Sequence, residues 1–476
     1  MNEVNRREDL QRILADLANE LDVPPSKYED AKERYDAVGE WLNEENSILA
    51  PYEPRIYPQG SFALGTAIKP LGEEEYDVDA VCCLQTTKRE VTQKQLKDMV
   101  GQRLKEHGTY ARMLDPKDGG RRCWTLKYAD SSKFHLDVLP AIPDPCDWLV
   151  ALGVPRSIAQ HAISITDKTT WNAAADWPKS NPQGYVEWFK TRMRVILEER
   201  RRLVALEKRA DVQKVPDYEV RTPLQRVIQL LKRHRDVRYN GDDDKPISII
   251  ITTLAARAYN NEADLMSAIL NLVPGMAQAI ENRNGVYWVA NPVNPRENFA
   301  DKWAEKPRKA DVFFDWLHAV EQEYQHLLTP GGFEKVGEYI EESYGRREAS
   351  AVMEKHAASL KAPRSPSANH PVAASAQSRS LSRFSVPHRE KPRWDVRRTG
   401  DVRIRGRIKS NGQWHEFSSD CSGLPKGCDL LFQASTDVQP PFSVHWQVVN
   451  TGSEAAARNQ LRGQIVPAKT AGVGGL

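Results

Sequence analysis

Three aspartates set in short apolar strands are the residues of this chain best placed to do chemistry. Asp77 and Asp79 stand two apart in EYDVDAVCCL, and Asp137 stands inside KFHLDVLPA. In a strand, residues i and i+2 point to the same face, so Asp77 and Asp79 project together. Asp137 is the carboxylate available from a neighbouring strand. Three hard-oxygen donors converging on one point suit two Mg²⁺ (or Mn²⁺) ions held about 4 Å apart. Such a pair makes an attacking hydroxyl nucleophilic and neutralises charge on an α-phosphate and its leaving pyrophosphate, which is what nucleotidyl transfer needs. Upstream, QGSFALGT follows the strand-like RIYP. Here Gly60 lets backbone come close to a phosphate, Ser61 offers a hydroxyl and an N–H, and Gln59 leads into both. A Gly-Ser dipeptide or a DxD pair alone fits any solvated loop, and Asp137 alone fits a strand edge. The ordered set is far more specific.

These residues need a sheet to hold them. Between Arg55 and Leu84 the chain reads as short strands punctuated by Gly and Pro, residues 91–107 read as a helix, and 121–139 as two strands with a turn around Asp130–Ser132. Leu10, Ile13, Leu14, Leu17 and Leu21 mark a helix ended by Pro24 and Pro25, and Tyr35, Val38, Trp41 and Leu42 mark a second. From Pro182 to Tyr344 the pattern is mostly helical. Residues 349–392, rich in Ser, Ala, Pro and Arg, read as a flexible linker. After Trp394 a small β-rich module begins, in which VRIRGRIK puts Val402, Ile404, Gly406 and Ile408 on one face and Arg403, Arg405, Arg407 and Lys409 on the other. The expected domains are a catalytic core with N-terminal helices (1–180), a helical lobe (181–348), the linker (349–392), the β-rich module (393–466) and a flexible tail (467–476).

Composition sets bounds on this reading. A chain of 476 residues has room for two or three domains. Its net charge of +2 argues against a protein that coats polyanions, so any preference for nucleotides must come from local patches. The cysteines, Cys82, Cys83, Cys123, Cys146, Cys421 and Cys428, form no CxxC pair, which speaks against zinc and against a secreted disulfide framework. The longest apolar run, ISIIITTLAA, is about half the roughly 20 residues a membrane helix needs. No membrane association and a cytoplasmic location are therefore expected.

With these motifs the chain resembles the polymerase-β-like nucleotidyltransferases, and more narrowly the bacterial cGAS/DncV-like nucleotidyltransferases (CD-NTases, SMODS-type) of anti-phage signalling. GSFALGT followed by YDVDAVCCL matches the family's active-site pattern, and HLDVLPA matches its third-aspartate strand. ITDKTTWNAAADWPKSNPQGYVEWF, TPLQRVIQLLKRHRD, KPISIIITTLAA and NPVNPRENFADKW are similar too, so the likeness runs from Arg55 to Trp303. It implies an α/β polymerase-β-like core with a helical lobe, plus a small β-rich C-terminal domain. Asp77, Asp79 and Asp137 would hold two metal ions, Gln59, Gly60 and Ser61 the triphosphate, and Lys232 and Ser248 the donor phosphates. ATP, GTP or other nucleoside triphosphates would be joined into a cyclic di- or trinucleotide that activates a separate effector protein. The last module, with RWDVR and HWQVVNTGSEA, resembles the sensor domain (AGS-C) attached to some of these enzymes. The tail AKTAGVGGL would suit the conjugation to a partner seen in some members.

Bland readings stand beside several of these roles. Lys232, in a run with Arg233, His234 and Arg235, also fits a solvated helix face, and Ser248 also fits a helix N-cap. The Arg403, Arg405, Arg407 row suits an anionic ligand or merely blunts an edge strand. Two other functions stay open: a related enzyme modifying RNA ends or protein side chains, and a non-catalytic nucleotide sensor.

Overall fold

The strands around the three aspartates form one sheet in the computed structural model. That structure describes residues 3–361 except 73, 129–133, 173–176 and 209–211, together with 402–410, 413–417, 429–436, 443–447 and 464–467. The chain divides into two compact units, Met1–Ser365 and Pro366–Leu476.

In the first unit the strands are β1 (Arg55–Pro58), β2 (Tyr76–Cys83), β3 (Trp124–Tyr128), β4 (Phe134–Pro143), β5 (Ile163–Ile165) and β6 (Lys179–Ser180). Their order is β1-β2-β4-β5-β6, with β3 also paired to β4. β2 and β4 are parallel, and the other pairs antiparallel. Strand alternation divides β2 cleanly. Val78, Ala80 and Cys82 join the core behind the sheet, while Asp77, Asp79, Val81 and Cys83 take the front. Helices α2 (Pro25–Asn43) and α4 (Gln93–Glu106) cover the back with Val38 and Leu42 and with Leu96, Val100 and Leu104, spaced to share one helical stripe. Thr92 and Gln95 close a capping box that fixes where α4 starts. The expected turn around Asp130–Ser132 lies outside the described residues.

Between β1 and β2 sits a single helical turn, α3 (Gly60–Leu64), and short helices α5 (Gly108–Met113), α6 (Asp147–Ala151) and α7 (Arg156–Ala159) fill later connections. The rest of the unit is a helical lobe. It comprises α8 (Pro182–Arg192), α9 (Arg194–Lys208), α10 (Pro223–Arg238), α11 (Ser248–Ala258), α12 (Leu265–Gln278), α13 (Asp301–Glu305), α14 (Arg308–Leu327), α15 (Pro330–Glu334) and α16 (Val336–Tyr344). Two small strand pairs interrupt it, β7 (Glu281–Arg283) with β8 (Val286–Trp288) and β9 (Ala290–Asn291) with β10 (Asn294–Asn298).

Two sequence expectations shift here. The first helix, α1 (Glu3–Leu21), packs its leucine stripe into the helical lobe rather than against the sheet. The stretch read as the start of a linker continues as α17 (Arg346–Lys361), whose Ala349 and Val352 are buried in the same core. The Ser, Ala, Pro and Arg content of 349–392 reads as a linker, yet alanine favours helix and the two buried positions are one turn apart. Residues 362–392 lie outside the described ones.

In the second unit, β11 (Val402–Ser410) is flanked by β12 (Gln413–Phe417) and β13 (Leu430–Thr436), both antiparallel. A separate pair joins β14 (His445–Gln447) to β15 (Ile465–Pro467), and Trp446 lies near Phe432. β11 is therefore a central strand, paired on both sides, and the edge-blunting reading of its arginines does not hold.

Candidate active site

The parallel pairing of β2 and β4 places Asp79 directly opposite Asp137 and Asp77 opposite His135. With Asp77 two residues earlier on the same face, one oxygen from each of the three carboxylates comes within 4.8 Å of the others. On the far side of β4, Thr125 of β3 stands opposite Asp137 and donates its hydroxyl to Asp137 Oδ1 at 2.5 Å. His135 Nε2 lies 3.1 Å from Asp77 Oδ1, and its Nδ1 lies 3.6 Å from Glu75 Oε2. His135 and Thr125 are site residues that sequence reasoning missed. Only the strand register brings them to the carboxylates, although the His two positions before Asp137 is a signal once parallel pairing is assumed.

The backbone brings the glycine-serine segment to the same place. Gln59 N–H donates to Asp79 O at 2.8 Å, extending the ladder by one residue before the chain turns into α3. Gly60 makes that turn at φ +63°, and a Cβ there would lie 2.6 Å from Asp79 Oδ2. Any other residue would meet strain and a clash at once. Ser61 follows as the second residue of α3, half-buried.

The connection after α3 is held by α10. Thr222 and Gln225 form a capping box at the start of that helix. Along one side, Gln225 Nε2 donates to Leu64 O (2.8 Å), Gln229 Nε2 to Ala67 O (2.9 Å) and Arg233 Nη2 to Lys69 O (2.7 Å). Lys232 Nζ donates to Thr66 O (3.0 Å) and Thr66 Oγ1 (3.2 Å). Loop carbonyls that would otherwise be orphaned in the interior are thus satisfied by one helix. Lys232 is 5% exposed, so the solvated-face reading fails. The polar run is buried because this helix turns polar side chains toward loop backbone, not toward water. Ser248 does not cap its helix either. Ile247 occupies the cap position, and Ser248, first residue of α11, accepts from Arg235 Nη1 at 2.9 Å. The structure thus joins Gln59 and Gly60 to Asp79 with Ser61 next in the chain, ties Lys232 to Thr66, and ties Ser248 to Arg235.

The electrostatics follow from crowding like charges on a half-buried face. Burial, then the charges of Asp77 and Asp137, push the Asp79 carboxyl up to about 7, against a small opposing pull from His135. Asp137 is also raised, mainly by burial and partly offset by the Thr125 hydrogen bond. His135 is raised by its hydrogen bond to Asp77. A different carboxylate, Asp167 in the ITDKTTW segment, is held well below the usual range. Burial opposes this, and hydrogen bonds from Arg121, Thr169 and Arg122 outweigh it. Asp167 is therefore a structural anion, while the Asp79 cluster is anionic without a compensating Lys or Arg contact among the described residues. An all-oxygen donor set whose negative charge is only partly offset, by His135 beside Asp77, fits hard divalent cations.

Comparison with known proteins supplies the class. The nucleotidyltransferase-domain model of the DncV-like cyclic GMP-AMP synthases matches residues 54–140, and the adenylyl/guanylyl and SMODS C-terminal sensor domain matches 384–473. A c-di-GMP synthase of Roseivirga ehrenbergii is 30% identical over 359 residues, 74% of this chain and 89% of the relative. The cyclic dinucleotide synthase CdnG of Bradyrhizobium diazoefficiens is 25% identical over 358 residues, 71% of this chain and 81% of the relative. The solved structure of a Bradyrhizobium diazoefficiens CdnG in complex with GTP has the same fold, with a TM-score of 0.56 and 23% identity over 73% of this chain and 98% of that one. Fold and relatives together define a nucleotidyltransferase of the cyclic oligonucleotide synthase class. The chain belongs to the DncV-like CD-NTase family and ends in a sensor domain of the AGS-C kind.

Proposed function

We propose that this synthase joins nucleoside triphosphates into a cyclic dinucleotide in a metal-dependent reaction centred on Asp77, Asp79 and Asp137. The observation that carries this reading is the meeting of three carboxylates from two parallel strands within 4.8 Å. These residues would hold Mg²⁺ or Mn²⁺, which supplies Lewis-acid neutralisation of phosphate charge and lowers the pKa of the attacking hydroxyl. The chain's own residues do the positioning. Gly60 lets the turn close tightly on Asp79, and Gln59 and Ser61 present polar groups at the same turn for a phosphate. Thr125 and His135 orient Asp137 and Asp77. Lys232 and Ser248 act on the donor phosphates through the connection after α3 and the start of α11.

Each transfer forms one bond between the acceptor hydroxyl oxygen and an α-phosphorus, and breaks one bond to the β,γ-pyrophosphate. A proton leaves the hydroxyl and pyrophosphate departs. A second transfer within the linear intermediate closes the ring. GTP is the first substrate to test, since the relatives are a c-di-GMP synthase and a CdnG whose solved structure holds GTP. Family membership further supports an anti-phage role in the cytoplasm, where triphosphates are abundant and the product would reach a separate effector protein.

The test is incubation of the purified chain with labelled triphosphates and Mg²⁺ or Mn²⁺, followed by phosphatase treatment and mass spectrometry. A phosphatase-resistant cyclic species, absent for the Asp77→Asn, Asp79→Asn protein, is the expected result. Label transferred only to RNA or to protein would replace this reading with that of a terminal transferase.

A further inference from the structure

The second unit carries a row of cations on the solvent side of its central strand. Arg405, Arg407 and Lys409 alternate along β11, so they share a face at about 6.7 Å intervals. The side chain of Arg405 is 71% exposed and that of Arg407 42%. Arg403 lies opposite Ser435 by register, and its side chain is outside the described residues. Across the ladder, Lys409 faces Trp414, whose ring lies 6.0 Å from the Lys409 ammonium and which is 43% exposed. Gln433 stands opposite Arg405, exposed and uncharged. Two carboxylates sit nearby. Glu416 lies 3.4 Å from Arg407 and 3.9 Å from Arg405, and Asp429 adjoins Lys409, whose N–H it accepts through its backbone carbonyl.

A central strand gains nothing from repelling sheet partners, because both its edges are already paired. A large half-exposed indole beside three regularly spaced cations also contributes little to folding. The combination matches another use: cations that track a phosphate backbone, next to an aromatic plate on which a base can stack. The row is extended along a strand and lies on an open face. A mononucleotide site is concave and closes around its ligand. A duplex keeps its bases inside the stack, where Trp414 has no face to meet.

We propose that the Arg405–Arg407–Lys409 row with Trp414 is a binding surface for single-stranded nucleic acid. The phosphates lie along β11, and one unpaired base stacks on Trp414. Affinity then comes mainly from counterion release, and sequence preference is weak.

The experiment is fluorescence anisotropy of the full chain with labelled 12-nucleotide DNA and RNA single strands. It is run over a salt series in EDTA, so that no divalent cation bridges nucleotide to the carboxylate site. Binding that weakens with salt is expected. Arg405→Gln, Arg407→Gln, Lys409→Gln together should reduce the log–log salt slope by about 2, at roughly 0.7 per phosphate contact. Trp414→Ala should weaken binding roughly tenfold while leaving the slope unchanged, since it removes stacking and no charge. Gln433→Glu puts one carboxylate into the row through an exposed position and should also weaken binding, which keeps the proposal testable if the triple variant misfolds. The proposal is overturned if wild-type protein does not bind single strands, or if binding is indifferent to all three variants. It is equally overturned if duplex DNA, cyclic dinucleotide or anionic lipid vesicles bind more tightly at this face.

Discussion

Two faces of this molecule gather like charges, and they do so in opposite ways. On the catalytic sheet, three carboxylates from adjacent strands are forced within 4.8 Å, those of Asp79 and Asp137 half-buried and Asp77 exposed, with the carboxyl of Asp79 pushed up to about 7. On the C-terminal sheet, three cations stand along a single strand about 6.7 Å apart and largely in water. Crowding across strands in a half-buried place stores a debt that a tightly held cation removes. Spacing along one exposed strand stores little, because water and salt screen each charge. The first arrangement suits a few strong, geometrically fixed contacts, and the second suits many weak ones.

The largest effect should come from emptying the crowded face. Asp77→Asn with Asp79→Asn is expected to lower cyclic dinucleotide formation by at least roughly 10³-fold with an unchanged circular dichroism spectrum. Measurable turnover in that protein would dissolve the contrast, leaving two charged surfaces and no metal site. Next, Gly60→Ala should cost roughly 10²-fold in kcat. Its Cβ must displace Asp79 Oδ2 from 2.6 Å, and φ +63° is unfavourable for alanine. Steady-state kinetics at wild-type levels would show that the turn has slack.

The third expectation concerns stability. Asp79 binds its proton more tightly folded than unfolded, so the unfolded state holds fewer protons between about pH 4 and about pH 7. Chelator-treated protein should therefore lose stability as pH rises through that window. Asp79→Asn should make the metal-free protein more stable at pH 8 by roughly 1–3 kcal/mol, read by urea unfolding. Added Mg²⁺ should stabilise the wild type more than this variant. Equal melting of both proteins at every pH would mean that the crowding is relieved by movement. The smallest effect should come from the spaced row, where Arg407→Gln is expected to change unfolding free energy by no more than about 0.5 kcal/mol. A larger loss would make the row structural after all.

The sheet and its carboxylates were legible in sequence because period-2 patterning around Asp77, Asp79 and Asp137 carries its own information about faces. What escaped was information held between segments. His135 and Thr125 matter only through the pairing of β4 with β2 and β3, which no local pattern states. The sequence left Lys232 open between a phosphate contact and a solvated face, because polarity alone does not reveal that a helix face is spent on loop carbonyls. The helix at Arg346–Lys361 was lost to composition, since alanine and serine serve linkers and helices alike. The two short strand pairs between Glu281 and Asn298 give too few residues to establish a period.

The placement of α1 has a consequence for how the protein is made. Its leucine stripe belongs to the helical core, and its Asp16 pairs with Lys355 of α17 at 2.6 Å, about 340 residues later. At roughly 5–20 residues per second, α1 waits roughly 20–70 s for α17 to be made. During that interval Leu10, Ile13, Leu14 and Leu17 have no completed core to enter. The nascent chain is thus exposed to capture by chaperones along α1, and a ribosome stalled before α17 leaves a product with an open apolar seam.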